Sequence, residues 1–114
     1  MTQISKHENR PRASLSLNEL IREVLSLTET ELQSHHIAVR TTLDETIPEV
    51  MADRVQLQQV MLNSINNSIE AMTSVDSNSR LLHLKTERDL SQDIVVTVQD
   101  SGPGIDPTEY RADL

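Results

Sequence analysis

Three groups of residues in this 114-residue sequence have types and spacings that could do chemistry. Asn63 and Asn67 stand one helical turn apart, so on a helix both can address a single ligand. An amide carbonyl is a hard, neutral oxygen donor, which suits Mg²⁺, an ion that keeps waters and phosphate oxygens in its shell. Asp100 closes an apolar run of period two. A carboxylate there can accept a hydrogen bond from an exocyclic amine, which adenine offers and guanine's carbonyl does not. Gly102 and Gly104, the only glycines, flank Pro103 just beyond it and let backbone lie flat against a purine. Together the three groups suit a nucleotide with its metal. Each also has an ordinary reading. An Asn pair is commonly a solvated helix face, Asp100-Ser101-Gly102 is a common turn composition, and Glu70 is a solvated carboxylate at the rim of the Asn face.

The elements that must position these groups follow from periodicity. Leu17, Leu20, Ile21, Val24, Leu25, Thr28 and Leu32 fall on one face of a helix expected over 18–34, with Asn18 as its N-cap. His35-His36 end it, where a helix C-terminus favours them. Residues 37–43 alternate as a strand, and 44–48 turn. A second helix is expected from an Asp53 N-cap to about Thr73. Leu57, Val60, Met61, Leu62, Ile65, Ile69 and Met72 fill its broad apolar arc. Gln59, Asn63, Asn66, Asn67 and Glu70 converge on a narrow polar arc, expected to line a cavity because so apolar a helix is wrapped by the fold. Residues 75–79 read as a polar loop, 80–87 as a strand, 89–92 as a hairpin turn and 94–100 as the paired strand, with Ile94, Val96, Val98 and Asp100 on one face. No further element is expected over 101–114.

Composition sets the outer bounds. Ten Lys and Arg against eighteen Asp and Glu give a net charge of −8 and no basic patch, so no nucleic-acid partner is expected. There is no cysteine, hence no disulfide framework and no thiolate metal site. No apolar run approaches the roughly 20 residues of a membrane span, and Met1 to His7 lack the apolar centre of a secretory signal, so a cytoplasmic location is expected, with any membrane anchor belonging to a longer parent protein. Tyr110 is the only aromatic residue, so the core is aliphatic and the expected stability modest. The length corresponds to one domain or part of one.

The runs carrying these groups have a familiar form. Asp53-Arg54-Val55-Gln56-Leu57-Gln58-Gln59-Val60-Met61-Leu62-Asn63-Ser64-Ile65-Asn66-Asn67-Ser68-Ile69-Glu70-Ala71-Met72 resembles the N box of sensor histidine kinases. Val96-Thr97-Val98-Gln99-Asp100-Ser101-Gly102-Pro103-Gly104-Ile105 resembles their G1 box. The order and the intervening strand pair match too, and the resemblance extends over about residues 14–107. It implies a two-layer α/β sandwich of Bergerat type, with helices on one face of a mixed sheet, that binds ATP or ADP with Mg²⁺. It further implies that Asn67 chelates the metal, that Asn63 is the polar residue one turn before it, that Asp100 reads adenine, and that Gly102, Gly104 and Ile105 border the base. In hydrolytic members of the superfamily a glutamate occupies the position of Asn63 and activates water. An amide cannot act as a general base, which favours phosphoryl transfer to a protein histidine over hydrolysis.

The resemblance also marks what this sequence does not contain. The expected division is a tail over 1–13 and, over 14–114, the N-terminal part of an ATP-binding domain without the mobile lid, the second glycine-rich box or the closing strands. The isolated chain is therefore expected to be inactive in autophosphorylation. A sheet ending at Asp100 would leave an open edge that invites self-association. His7, in Ser5-Lys6-His7-Glu8-Asn9-Arg10-Pro11, superficially matches the family's phosphoacceptor motif, but the proline and the absence of a following helix assign it to a linker. Implied partners are a histidine-containing dimerisation domain and a response regulator. The alternatives are a non-catalytic nucleotide-binding or docking module of the same fold and, less favoured by Asn63, a related ATPase or anti-sigma-type kinase.

Overall fold

The computed structural model describes residues 12–102 and 108–112. In chain order the elements are β1 (Ala13–Leu15), α1 (Leu17–Leu27), α2 (Glu29–Ser34), β2 (Ala38–Thr42), β3 (Val50–Ala52), α3 (Arg54–Ala71), β4 (Leu81–Arg88), β5 (Ile94–Asp100) and β6 (Thr108–Ala112). Strands β2-β4-β5-β6 form a mixed sheet, parallel between β2 and β4 and antiparallel elsewhere, while β1 and β3 make a separate antiparallel pair. The expected two-layer α/β architecture is present.

One apolar seam joins the layers. Leu20, Ile21 and Val24 of α1, Met61 and Ile65 of α3, and Leu82, Leu84, Ile94 and Val96 of the sheet all lie in one fully buried cluster. The register explains which sheet residues take part. Leu82 pairs with Asp100, Leu84 with Val98, and Thr86 with Val96, so their side chains share the helix-facing side. Val95 faces the other way and is buried apart from that cluster.

The first helix differs from expectation at its start and in its middle. Ser16, not Asn18, is the N-cap, its Oγ accepting from the Glu19 N–H at 3.2 Å. Asn18 sits inside α1 and is buried. It donates to the Asp44 carbonyl at 2.9 Å and accepts from Thr86 Oγ1 at 2.9 Å, while Thr86 Oγ1 accepts from the Asp44 N–H at 2.9 Å. The expected single helix breaks at Thr28, whose hydroxyl turns back onto the carbonyls of Val24 (3.0 Å) and Leu25 (3.3 Å), so that α2 begins afresh. The break at the other end comes where expected. His36 adopts φ 56°, Ile37 N–H reaches back to Leu32 O at 3.0 Å, and the His35 ring lies 2.9 Å from Glu31 O.

Helix α3 runs as expected from an Asp53 cap, with Asp53 Oδ1 accepting from Gln56 N–H at 3.2 Å. Leu57, Met61, Ile65, Ile69 and Met72 are buried, Val60 and Leu62 half-buried, and Ser64 and Ser68 are buried among them. After it the chain makes two short 3-10 turns, and Arg80 ties this segment down by donating to the carbonyls of Val75 (3.0 Å), His35 (2.8 Å) and Thr73 (3.3 Å).

Three strands were not legible in the sequence. β1 and β3 are only three residues long, too short to show alternation. The third, β6, overturns the expectation of a structureless end: it pairs with β5 from Val98↔Thr108 to Ile94↔Ala112. Tyr110 anchors it, its hydroxyl bonded to Ser64 Oγ and 3.4 Å from the Val60 carbonyl. The far side of β5 is therefore covered, and the edge strands of the sheet are β6 and β2, all five residues of β2 being exposed. No helix among the described residues is long and apolar enough to cross a membrane.

Candidate functional site

The site is built where the C-terminal end of α3 meets the C-terminal end of β5. Because the inner-face row of β5 ends at Asp100, its carboxylate is delivered half-buried to the helix layer. The chain then turns sharply. Asp100 Oδ1 accepts the Gly102 N–H at 2.7 Å, an Asx turn that leaves Oδ2 without a hydrogen bond among the described residues. Gly102 is required by close approach. A Cβ there would stand 2.7 Å from Asp100 Oδ1, 3.1 Å from Ala71 Cβ and 3.2 Å from the Ala71 carbonyl.

Ala71 supplies the link to the amides. Asn67 lies one turn before it, about 40° round the helix and about 6 Å along its axis, and Asn63 lies a further turn away. Asn63, Asn67 and Ala71 thus follow one another in a strip along successive turns of α3, and the Asp100 turn lies at its Ala71 end. The strip is open: Gln59, Asn63, Asn66, Asn67 and Glu70 are all exposed, and no hydrogen bond among the described residues engages the side chain of Asn63 or Asn67. Among the described residues nothing encloses the polar arc, where a cavity was expected. A groove of about 400 Å³ lies elsewhere, lined by residues of α1, α2 and β2, among them Leu25, Leu32 and Val39, and by Ile37 just before β2. The reason is geometric: Asn63 points almost directly away from the buried face of α3, so only a further layer could enclose it.

The donor set fits a magnesium nucleotide. The polar arc carries amides and one carboxylate but no Lys or Arg, so α3 itself offers a phosphate chain no positive charge. No group of three or more His, Asp or Glu able to hold a metal unaided occurs among the described residues. An ion sharing one or two amide oxygens with phosphates and water satisfies both facts. Gly104 and Ile105, expected to border the base, lie outside the described residues, as does His7. Sequence reasoning missed Ala71 and Ser101. The first could have been found from its position one turn beyond Asn67, where a small residue admits a neighbouring backbone.

Residues 52–112 match the family of histidine kinase-, DNA gyrase B- and HSP90-like ATPases. The chain belongs to that family. Sensor histidine kinases are among its similar members, and the matched module is the ATP-binding catalytic domain of two-component kinases. The sensor histidine kinase TmoS of Ectopseudomonas mendocina is 34% identical over 92 residues, 80% of this chain and 10% of that protein. ZraS of Salmonella typhimurium is 31% identical over 99 residues, 87% of this chain and 20% of the other. This chain therefore spans only a small part of these sensor kinases. Among solved structures, the nucleotide-free catalytic domain of histidine kinase ThkA superposes with a TM-score of 0.71 at 34% identity, covering 83% of this chain and 62% of that one. ThkA has also been solved in complex with the response regulator TrrA.

Proposed function

We propose that this chain binds the adenine nucleotide of a sensor histidine kinase, and that Asp100, Gly102, Asn67 and Asn63 form the part of the site it contributes. The Asx turn carries the reading. It commits Asp100 Oδ1 to Gly102 and leaves Oδ2 to accept the exocyclic amine of adenine, with the Gly102 backbone against the ring. The family resemblance alone assigns Gly104 and Ile105 to the base as well. Asn67 would hold Mg²⁺ through its amide oxygen, with Asn63 one turn on toward the phosphates. When bound, the ion neutralises charge on the β- and γ-phosphates. Asn63 has no basicity with which to activate water, so the arrangement supports transfer of the γ-phosphoryl group to a histidine rather than hydrolysis. The protein histidine would reside on a dimerisation domain, and a response regulator would receive the phosphoryl group from it. Both belong to the longer protein, whose cytoplasmic placement is part of the same proposal.

The test is calorimetric titration of the 114-residue chain with ADP and ATP in the presence of Mg²⁺, with Asp100→Asn and Asn67→Ala as controls. Saturable binding weakened by both substitutions is the expected result. Absence of binding at millimolar nucleotide, from a chain that melts cooperatively, overturns the reading.

A further inference from the structure

The turn that presents Asp100 is held by a side chain the nucleotide reading does not use. Ser101 donates its backbone N–H to the Leu81 carbonyl at 3.1 Å, and its hydroxyl oxygen accepts the Leu81 N–H at 3.0 Å. The hydroxyl in turn donates to Met72 Sδ at 3.5 Å. One serine thereby ties the end of β5 to the first residue of β4 and to the residue that follows α3. Asp100 and Gly102 are its two chain neighbours, and the 2.7 Å bond between them spans it. Fixing the backbone and hydroxyl of Ser101 together leaves the Asx turn little freedom to rotate.

We propose that Ser101 is a positioning residue for base selection, its hydroxyl holding the Asp100 carboxylate in the orientation that accepts an adenine amine and repels a guanine carbonyl. This rests on the reading that Asp100 meets the base. The Leu81 N–H lies at an exposed end of the sheet, so water can take over as its acceptor and the fold survives loss of the hydroxyl. Water cannot replace the constraint on the turn. A loosened carboxylate retains its charge and its chemistry but no longer discriminates between a donor and an acceptor at the same place on the purine.

The experiment measures affinities for Mg-ATP and Mg-GTP on the full chain, in parallel with melting curves, for Ser101→Ala, Ser101→Thr and Ser101→Val. Thr and Val add the same bulk and differ only in the hydroxyl. Ala and Val are expected to lower the ATP-to-GTP affinity ratio about five- to tenfold, the scale of one misdirected hydrogen bond, while Thr holds it within about twofold. An unchanged ratio in Ala and Val overturns the proposal, as does a Thr variant that fails to retain it. If Ala or Val abolishes cooperative melting, the role is structural and the proposal also falls. Asp100→Asn separates the two layers of argument. If it leaves the ratio unchanged, the base reading itself is wrong. If it collapses the ratio and Ser101→Ala does not, only the positioning role is lost.

Discussion

Two helical asparagine environments in this molecule show opposite uses of one side chain. Asn18, buried in α1, has its amide nitrogen on the Asp44 carbonyl and its amide oxygen under Thr86 Oγ1, and Thr86 completes the triangle with the Asp44 N–H. That network joins the first helix, the β2–β3 connection and β4. Asn63 and Asn67 on α3 are exposed, and their side chains make no hydrogen bond among the described residues. A buried amide must have its partners inside the protein, because leaving them out costs a desolvation penalty that nothing returns. An exposed amide can hold its oxygen available for a ligand at no cost to the fold. The two environments should therefore separate stability from binding.

The largest effect is expected from Asn18→Ala. Removing the amide strands the Thr86 hydroxyl and the Asp44 carbonyl in a buried place, and a loss of about 2–3 kcal/mol should lower the melting temperature by about 10 °C or more. The relative preference for ATP over GTP should stay as it was in the fraction that remains folded. Gly102→Ala sharpens the contrast from the other side. The added methyl collides with Asp100 Oδ1, so the Asx bond breaks, and ATP affinity is expected to fall about tenfold in a titration while stability changes by no more than about 1.5 kcal/mol.

Asn67→Ala should barely move the melting temperature, within about 0.5 kcal/mol, because its side chain is exposed. Its effect should show in the dependence on metal. The gain in nucleotide affinity on adding Mg²⁺ over EDTA is expected to shrink about three- to tenfold, and an Asn67→Ala protein with the full gain would remove Asn67 from the metal's shell. The smallest effect concerns Asp44, whose carbonyl serves the Asn18 network while its side chain serves its own turn. The Thr46 hydroxyl (2.6 Å) and N–H (2.9 Å) both donate to Asp44 Oδ1 and hold its carboxyl below its ordinary value of 3.8. A depressed carboxyl stabilises the fold above the unfolded pKa, and that contribution disappears as pH falls below about 4 toward the lowered value. Thr46→Val should move the Asp44 titration, followed by NMR, back toward the ordinary value and slightly flatten the acid limb of the melting curve.

Legibility in the sequence tracked how local the physics was. α3 was readable to within two residues because its cap, its apolar period and its length all lie in one stretch. The paired strands β4 and β5 were readable with their facing, since alternation alone puts Ile94, Val96, Val98 and Asp100 on one side. The break at Thr28 was not, because a threonine inside an apolar period looks helical until its hydroxyl takes the Val24 carbonyl. Nor was the role of Asn18, a fair N-cap by composition that became a core residue because Asp44 and Thr86 arrive from far along the chain. β6 was missed for a similar reason: Thr108 to Ala112 has little pattern of its own and is a strand because β5 offers an edge and Ser64 meets Tyr110.

The amino-acid order alone determined which groups this protein has for a nucleotide, namely amides one turn apart and a carboxylate with glycines behind it, since spacing on a helix or a strand is a local property. Only the tertiary structure decided that the two sets adjoin. Contact between Gly102 and Ala71 joins residues from different layers, and such a contact exists only once a shared apolar core has drawn α3 onto β5. The same packing left the amides facing outward and buried the serines beside them, a choice between flanks of one helix that depends on where the sheet lies and that no periodicity records.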